Sequence, residues 1–255
     1  MSKQSPLHQL EPGFLFANQY RLLEVLGQGG MGLVYKAKDE KRGLTVALKV
    51  LLQDQECNDN DELKNAAKRM RDEARAASRI SHPGLIKIYD AGDHGRYGPY
   101  IVYEYLAGGT LADKIEEGGL GYEETIDKLA RPLLSALSEL HKHKIIHRDV
   151  KPENIFYAKD GSFRLGDFGL AHFDEKEAKT RTGSIIGTVS YVAPDRVLPP
   201  RCKADESDDC YAAAHTIIEA ITGRHLSQIS DGYNPFMQHS RKVTAEELYG
   251  HDIPL

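Results

Sequence analysis

The sequence predicts an α+β protein in which a strand-rich part is followed by a helix-rich part. Short runs that alternate apolar and polar residues occupy much of the stretch from Tyr20 to Tyr105, and longer amphipathic runs follow Gly108-Gly109. Alternation with a period of two indicates half-buried strands, and a period near 3.6 indicates helices. The 255 residues suffice for one domain of two lobes or for two small domains.

The first part is predicted to form a small five-stranded sheet with one helix. Residues 1–19 are predicted to be a tail, because they are polar and interrupted by prolines and a glycine. The helix is expected from about Asp61 to Ile80, where His82-Pro83-Gly84 ends it. The strands are expected near Leu22–Leu26, Leu33–Lys38, Leu44–Leu51, Leu85–Tyr89 and Tyr100–Tyr105, and the helices of the second part at Tyr122–His143 and Tyr211–Thr222.

Composition excludes several classes of protein. The net charge of −5 gives no support for a nucleic-acid-binding surface, which needs a clustered basic excess. No run approaches the roughly 18 apolar residues that a membrane-spanning helix requires, and the start lacks the pattern of a secretory signal. The three cysteines lack metal-ligand spacing, so we expect reduced thiols in a cytoplasmic protein.

A glycine cluster, Gly27-Gln28-Gly29-Gly30-Met31-Gly32, joins the first two predicted strands. A dinucleotide-binding fold would need a helix directly after such a cluster, whereas here a strand follows. Glycines allow a backbone to fold closely over phosphates with its amides aimed at their oxygens. An ordinary glycine-rich hairpin remains the alternative.

The densest chemical signal is His147-Arg148-Asp149-Val150-Lys151-Pro152-Glu153-Asn154, followed downstream by Asp167-Phe168-Gly169. Asp149 can accept a proton from an attacking hydroxyl, and Lys151 can neutralise charge on a moving phosphoryl group. Asn154 and Asp167 supply oxygen ligands of the kind that Mg²⁺ prefers.

These two strings resemble the catalytic and metal-binding loops of bacterial Hanks-type serine/threonine protein kinases. The resemblance implies a two-lobed fold over residues 20–255, with an N-lobe of about 20–105 and a C-lobe of about 106–255. It implies ATP and Mg²⁺ as cofactors, with Mn²⁺ as an alternative, and serine or threonine hydroxyls of proteins as acceptors. Lys151 at its position resembles the serine/threonine class rather than the tyrosine class.

The resemblance also assigns the nucleotide contacts. Lys49 would pair the phosphates, and Glu73 would be its partner, with Asp72 and Glu62 as competitors. Backbone groups of Glu104 and Leu106 would bind the adenine. The remaining assigned contacts are Leu26, Gly27, Gln28, Gly29, Gly30, Met31, Gly32, Val34, Ala47, Tyr103 and Phe156.

The segment from Asp167 to Asp195 resembles an activation loop. Thr188 would bond to Asp149 and Lys151 and shape the acceptor site. Thr180 and Thr182 stand where bacterial members carry autophosphorylation sites, and a dimer of kinase domains would serve that reaction. The alternative is that both threonines are plain polar loop residues.

By the same resemblance, Asp209, which lies outside these loops, is expected to anchor the backbone of the catalytic loop. His147 is expected to be a packing element, and His141 and His143 are expected to be surface residues rather than metal ligands, since no carboxylate or cysteine completes a set.

The resemblance weakens after Gly223, where about thirty residues replace the usual further helices. Arg241 is the candidate partner of Asp195. If the two pair, the chain ends in a trimmed domain; the alternative is that the resemblance of the ending is a coincidence and the chain is a fragment. A pseudokinase that only binds partners and a small-molecule kinase remain the rival functions.

Overall fold

The structure is a computed structural model that describes residues 10–29, 32–51, 74–167, 191–193 and 204–224. The chain forms two compact units: Met1–Ser81 with Ile86–Tyr105, and His82–Leu85 with Leu106–Leu255. The described part of the first unit is mostly strand, and that of the second is mostly helix. The predicted α+β class is therefore confirmed.

The first unit contains a six-stranded antiparallel sheet with the order β1-β2-β3-β4-β6-β5. Its strands are β1 (Leu15–Phe16), β2 (Tyr20–Gly29), β3 (Gly32–Asp39), β4 (Leu44–Leu51), β5 (Ile88–His94) and β6 (Gly98–Glu104). The prediction of a strand at Leu85–Tyr89 was misplaced, because the Leu85 N–H bonds to His82 O in a turn and the strand begins at Ile88.

The described part of the predicted tail, residues 10–19, contains strand β1 of the sheet. Strand β1 pairs with β2 through Leu15↔Arg21 and Phe16↔Tyr20. The turn between them holds Ala17 at φ 50° and Asn18 at φ 53°, values typical of the primed turns that match the twist of a hairpin. Phe16 is fully buried and packs beside Tyr20 in the core.

The sheet has two chemically different faces. The strand register places Tyr35, Leu48 and Val102 side by side, and all three are buried in the core. Neighbours along each strand point to the opposite face.

Of the predicted helix at Asp61–Ile80, the structure describes only the end, where residues 74–77 are helical.

The second unit contains helices α1 (Leu111–Glu116), α2 (Tyr122–Glu124), α3 (Arg131–Lys142) and α4 (Glu206–Thr222). A π-helical turn, Thr125–Ala130, joins α2 to α3, so the predicted helix over 122–143 is present with one irregular turn. Pro132 follows that turn and cannot donate a backbone hydrogen bond. The missing donor favours a change there from π-helical to α-helical hydrogen bonding.

Helix α4 begins five residues before the predicted Tyr211, because Asp205 caps it. The Asp205 carboxylate accepts from Ser207 N, and the Asp208 carboxylate accepts from Asp205 N, in a reciprocal capping box. Gly223 ends the helix at φ 63°, a left-handed conformation that suits glycine. Within the described ranges, no helix is both long enough and apolar enough to cross a membrane.

Candidate active site

A short hairpin aligns the two candidate metal ligands. Strands β7 (Ile155–Tyr157) and β8 (Phe163–Leu165) pair through Ile155↔Leu165, so the residue before β7 lies beside the residues after β8. The Gly166 N–H accordingly bonds to Asn154 O at 2.9 Å. Asn154 and Asp167, which are distant in sequence, are thereby brought to one end of the hairpin.

The Asp149 carboxylate is held by two groups of its own loop. Lys151 Nζ lies 2.9 Å from one carboxylate oxygen. Asn154 Nδ2 donates to the other oxygen at 2.7 Å and also to the Asp149 backbone carbonyl at 2.7 Å. Because the nitrogen of the Asn154 amide faces Asp149, its oxygen is directed elsewhere. The structure therefore brings Asp149, Lys151 and Asn154 together, as their positions in one short loop of the sequence indicated.

Asp209, which is buried on α4, fixes the start of this loop. Its carboxylate accepts the backbone N–H of His147 and that of Arg148, each at 2.8 Å. Arg148 has a φ of 68°, which is unfavourable for a residue with a side chain. Two charge-assisted hydrogen bonds, donated by these backbone N–H groups to the buried carboxylate, offset that strain. The predicted anchoring role of Asp209 is confirmed.

The three histidines near the loop differ in their surroundings. His147 is fully buried, its Nε2 lies 3.1 Å from Gly166 O, and burial lowers the pKa of its ring. A neutral ring with a proton on Nε2 donates to Gly166 and accepts from the Asp149 N–H at Nδ1. His147 is therefore a structural element, as predicted.

His143 is a surface residue, as expected, with a side chain that is 52% exposed. The surface prediction was wrong for His141, whose Nε2 lies 2.8 Å from Asp209 Oδ2 and whose side chain is only 10% exposed. The contact joins α3 to α4, and it makes His141 a further partner of the Asp209 carboxylate that holds the loop. Sequence reasoning missed it because the two residues lie 68 positions apart.

A second contact with α4 involves the end of the predicted activation loop. The Tyr191 hydroxyl donates to Glu219 Oε2 at 2.5 Å, and Glu219 is 3% exposed. Burial and the Glu219 carboxylate both raise the pKa of Tyr191, so the phenol remains protonated at neutral pH. Neither residue had a role predicted from the sequence. Tyr191 gives the described residues 191–193 a fixed point on α4.

In the first unit, one face of the sheet carries several of the predicted nucleotide contacts. Val34 pairs with Lys49, and Ala47 pairs with both Lys36 and Tyr103. Directly paired residues of neighbouring antiparallel strands share a face. Val34, Ala47, Lys49 and Tyr103 therefore lie on one face, opposite to the core residues Tyr35 and Leu48.

The predicted adenine-binding segment follows this face. The Glu104 N–H bonds to Lys87 O at 2.8 Å, so a contact from Glu104 to a base would use its carbonyl group. Leu106 is half-buried and begins the described main part of the second unit. Phe156 is half-buried on β7, where its neighbour across the hairpin is Arg164.

At the glycine cluster, β2 ends at Gly29 and β3 begins at Gly32, and the two strands pair through Gly27↔Val34, Gln28↔Leu33 and Gly29↔Gly32. The expected strand–strand turn is confirmed, and a dinucleotide-binding turn into a helix is excluded. At Gly32 a Cβ would lie 2.2 Å from Val50 O, so only glycine fits there. Leu26 lies at the irregularity between Val25 and Gly27 and is 43% exposed.

Some of the predicted site residues lie outside the part of the chain that the structure describes. They are Gly30, Met31, Glu73, Thr180, Thr182, Thr188, Asp195 and Arg241. Their assigned roles stay predictions.

Comparison with known proteins identifies the family. The sequence profile of the protein kinase domain matches residues 20–252. The chain belongs to the protein kinase domain family. Serine/threonine-protein kinase PknL of Mycobacterium tuberculosis (strain ATCC 25618 / H37Rv) is 33% identical over 240 residues, which cover 94% of this chain and 56% of PknL. Serine/threonine-protein kinase PrkC of Bacillus subtilis (strain 168) is 34% identical over 212 residues, which cover 83% of this chain and 32% of PrkC.

This protein kinase chain thus spans about half of PknL and a third of PrkC. Membership of the family, the two-lobed kinase fold class and the resemblance to bacterial serine/threonine kinases are confirmed. Protein kinases use ATP and typically a divalent cation.

Proposed function

We propose that this protein kinase domain transfers the γ-phosphoryl group of ATP to serine or threonine hydroxyls of proteins. The observation that carries the proposal is the arrangement of Asp149 between Lys151 Nζ at 2.9 Å and Asn154 Nδ2 at 2.7 Å. Phosphoryl transfer asks the protein mainly to position groups and to stabilise charge. A carboxylate fixed by two neighbours meets the first need, and the lysine meets the second.

Asp149 would orient the acceptor hydroxyl and receive its proton at a carboxylate oxygen. Lys151, whose side chain is 21% exposed, would place its ammonium group against the phosphoryl oxygens during transfer. Asp209 takes no part in this chemistry, but it keeps the loop in the conformation that presents Asp149. Thr188 is proposed to contact the same groups from the acceptor side.

Asn154 and Asp167 fit a magnesium ion by the chemistry of their donors. Both offer hard oxygen ligands at one end of the β7–β8 hairpin, and the amide nitrogen of Asn154 is already engaged by Asp149. Mg²⁺ usually takes one or two carboxylates and completes its shell with phosphates and water. When bound, the ion neutralises charge on the phosphate oxygens, and Mn²⁺ would be an alternative.

In the first unit, Lys49 is proposed to hold the phosphates, with Glu73 as its partner. Val34 and Ala47 share the face of Lys49 and provide apolar contact for the base. The amides of the glycine turn would face the phosphate oxygens, as strand–turn–strand loops of small residues allow.

Regulation is proposed to run through Thr180 and Thr182. A phosphate on either adds about −1.5 to −2 charge at neutral pH, and Arg148, directly before Asp149, is the cation proposed to pair with it. Such autophosphorylation would use a transient dimer of kinase domains.

Cys210 is an exposed free thiol, which suits the reducing environment of the cytoplasm.

The test is an assay with radiolabelled ATP and magnesium on three acceptor sets: a generic protein, small metabolites and no acceptor. Label on serine and threonine of the protein supports the proposal. Label on metabolites alone would identify a small-molecule kinase, and nucleotide binding without any transfer would identify a pseudokinase. Asp149→Asn is the matched inactive control.

A further inference from the structure

Lys36 on β3 bridges two segments of the first unit. Its Nζ lies 2.7 Å from Glu24 Oε1 on β2 and 5.1 Å from the centre of the Tyr105 ring, directly after β6. The hydrogen bond to Glu24 raises the pKa of Lys36, so the group is a cation at neutral pH. A cation at this distance from an aromatic ring is attracted to it.

The bridge lies on the face of the sheet that carries the proposed nucleotide contacts. The register pairs Glu24 with Lys36, Lys36 with Ala47, and Ala47 with Tyr103. These four side chains form a row across four strands on one face. Lys36 is therefore the direct neighbour of Ala47, which is assigned to the base.

Tyr105 occupies the middle of the proposed adenine-binding segment, between Glu104 and Leu106. On one side of that segment, the Glu104 N–H is bonded to Lys87 O at 2.8 Å, and Lys87 N–H lies 3.5 Å from Glu104 Oε2. On the other side, the ring of Tyr105 meets Lys36. The segment is thus held from two directions, by a backbone bond and by a cation.

We propose that Lys36 is a positioning residue for ATP: it ties β2, which leads into the glycine turn, to the segment that binds the base. This inference rests on the proposed function, because it takes ATP as the ligand. Lys36 itself need not touch the nucleotide. Holding both segments in place before binding reduces the ordering that ATP must impose, so the affinity for ATP rises.

Isothermal titration of MgATP into the full chain tests this inference, with Lys36→Met, Lys36→Arg and a control, Lys38→Met. Met keeps the apolar stem and removes the charge. Lys38 lies two residues along β3 on the same face, but its Nζ bonds to Gly43 O at 2.6 Å. We expect Lys36→Met to raise the Kd for ATP by about three- to fivefold, which corresponds to the loss of an exposed ion pair together with a cation–π contact. Lys36→Arg should stay within twofold of the wild type, and Lys38→Met should match it.

A merely structural role for Lys36 would give a different pattern. It would lower the melting temperature of Lys36→Met without a selective change in ATP affinity, whereas the proposal expects a small change in melting temperature and an unchanged KM for the protein acceptor. Combining Lys36→Met with Tyr105→Leu should weaken ATP binding less than the product of the single effects. The loss should also shrink in high salt, because Glu24 and Lys36 are partly exposed.

Equal Kd values for Lys36→Met and Lys38→Met would overturn the inference and leave the proposed function standing. A wild-type chain that binds ATP but transfers no phosphate would refute the proposed function, while the Kd comparison would still test Lys36. Failure of the wild type to bind ATP would refute both.

Discussion

The carboxylate of Asp209 on α4 accepts the backbone N–H of Arg148 at 2.8 Å, at a residue held at φ 68°. A left-handed conformation costs a residue with a side chain roughly 1–2 kcal/mol, so it persists only where other contacts enforce it. This conformation directs the chain from the buried His147 to the half-buried Asp149. The position of the proposed catalytic carboxylate therefore depends on an aspartate that touches no reacting atom.

We expect Asp209→Ala to destabilise the protein by about 2–6 kcal/mol, because it removes a buried acceptor and leaves two backbone donors without it, each at a cost of about 1–3 kcal/mol. Asp209→Asn should lose less stability but should still lower kcat, since one of its donors would meet an NH₂ group. Urea unfolding and kcat measurements check both. Glu206→Gln, at an exposed position in the first turn of the same helix, is the control; it should leave kcat unchanged and cost no more than about 1 kcal/mol of stability. Full activity in Asp209→Ala would show that the loop is held by other means.

Lys49→Met and Asp167→Asn should each abolish phosphoryl transfer while the protein remains folded. Lys49 is assigned to orient the phosphates, and Asp167 to hold the metal on them. Transfer assays and thermal denaturation on the same samples separate a lost site from a lost fold. Lys87→Met, another lysine of the first unit that is exposed, should retain activity. Wild-type turnover in either folded variant would refute the site assignment.

Tyr191→Phe should destabilise the protein by about 1–3 kcal/mol, because it removes a donor from a buried carboxylate. The hydroxyl bonds to Glu219 Oε2 at 2.5 Å, and Glu219 is 3% exposed. The same substitution at Tyr122, which is 63% exposed, should stay within about 0.5 kcal/mol of the wild type. Chemical denaturation gives the comparison. Equal effects at the two positions would mean that the Tyr191 contact contributes nothing to stability.

Acid should destabilise the folded protein through His147. Burial keeps the pKa of its ring below the unfolded value of about 6.5. Below that pH the unfolded chain binds a proton that the folded chain excludes, so the free energy of unfolding falls as the pH falls. Above that pH the ring is neutral in both states, and this loss of stability is absent. His147→Gln keeps a donor and an acceptor without titrating. Its free energy of unfolding should depend less on pH as the pH falls below about 6.5, and an unchanged slope would contradict the prediction.

Much of the proposed site could be predicted because its residues are close in sequence. Asp149, Lys151 and Asn154 fall within one turn of the chain, and the loop closes on itself through short bonds. Asp209 could be predicted only through the resemblance, since nothing local indicates that an aspartate on α4 bonds to His147 and Arg148. The strands β2, β3 and β4 followed from their alternation, because each presents one face to the core.

The missed features depend on tertiary contacts or on unusual backbone. Strand β1 was hidden by the breakers around Gly13 and by a turn with Ala17 at φ 50°, where the sequence carries no glycine. His141 resembled a surface residue of α3 until α4 placed Asp209 against it. Lys36 is a lysine in an alternating strand, and only the register of three strands and the ring of Tyr105 distinguish it.

The most direct test of the central claim is mass spectrometry after incubation with MgATP, on the wild type and on Asp149→Asn, with a generic protein acceptor present. The account predicts phosphate on serine or threonine of the acceptor and on Thr180 and Thr182 of the wild type. It predicts that transfer falls by about 10²–10⁴-fold in the variant, while its affinity for ATP is retained. Undiminished phosphorylation by folded Asp149→Asn, or no phosphate transferred by the wild type to any protein hydroxyl, would contradict it.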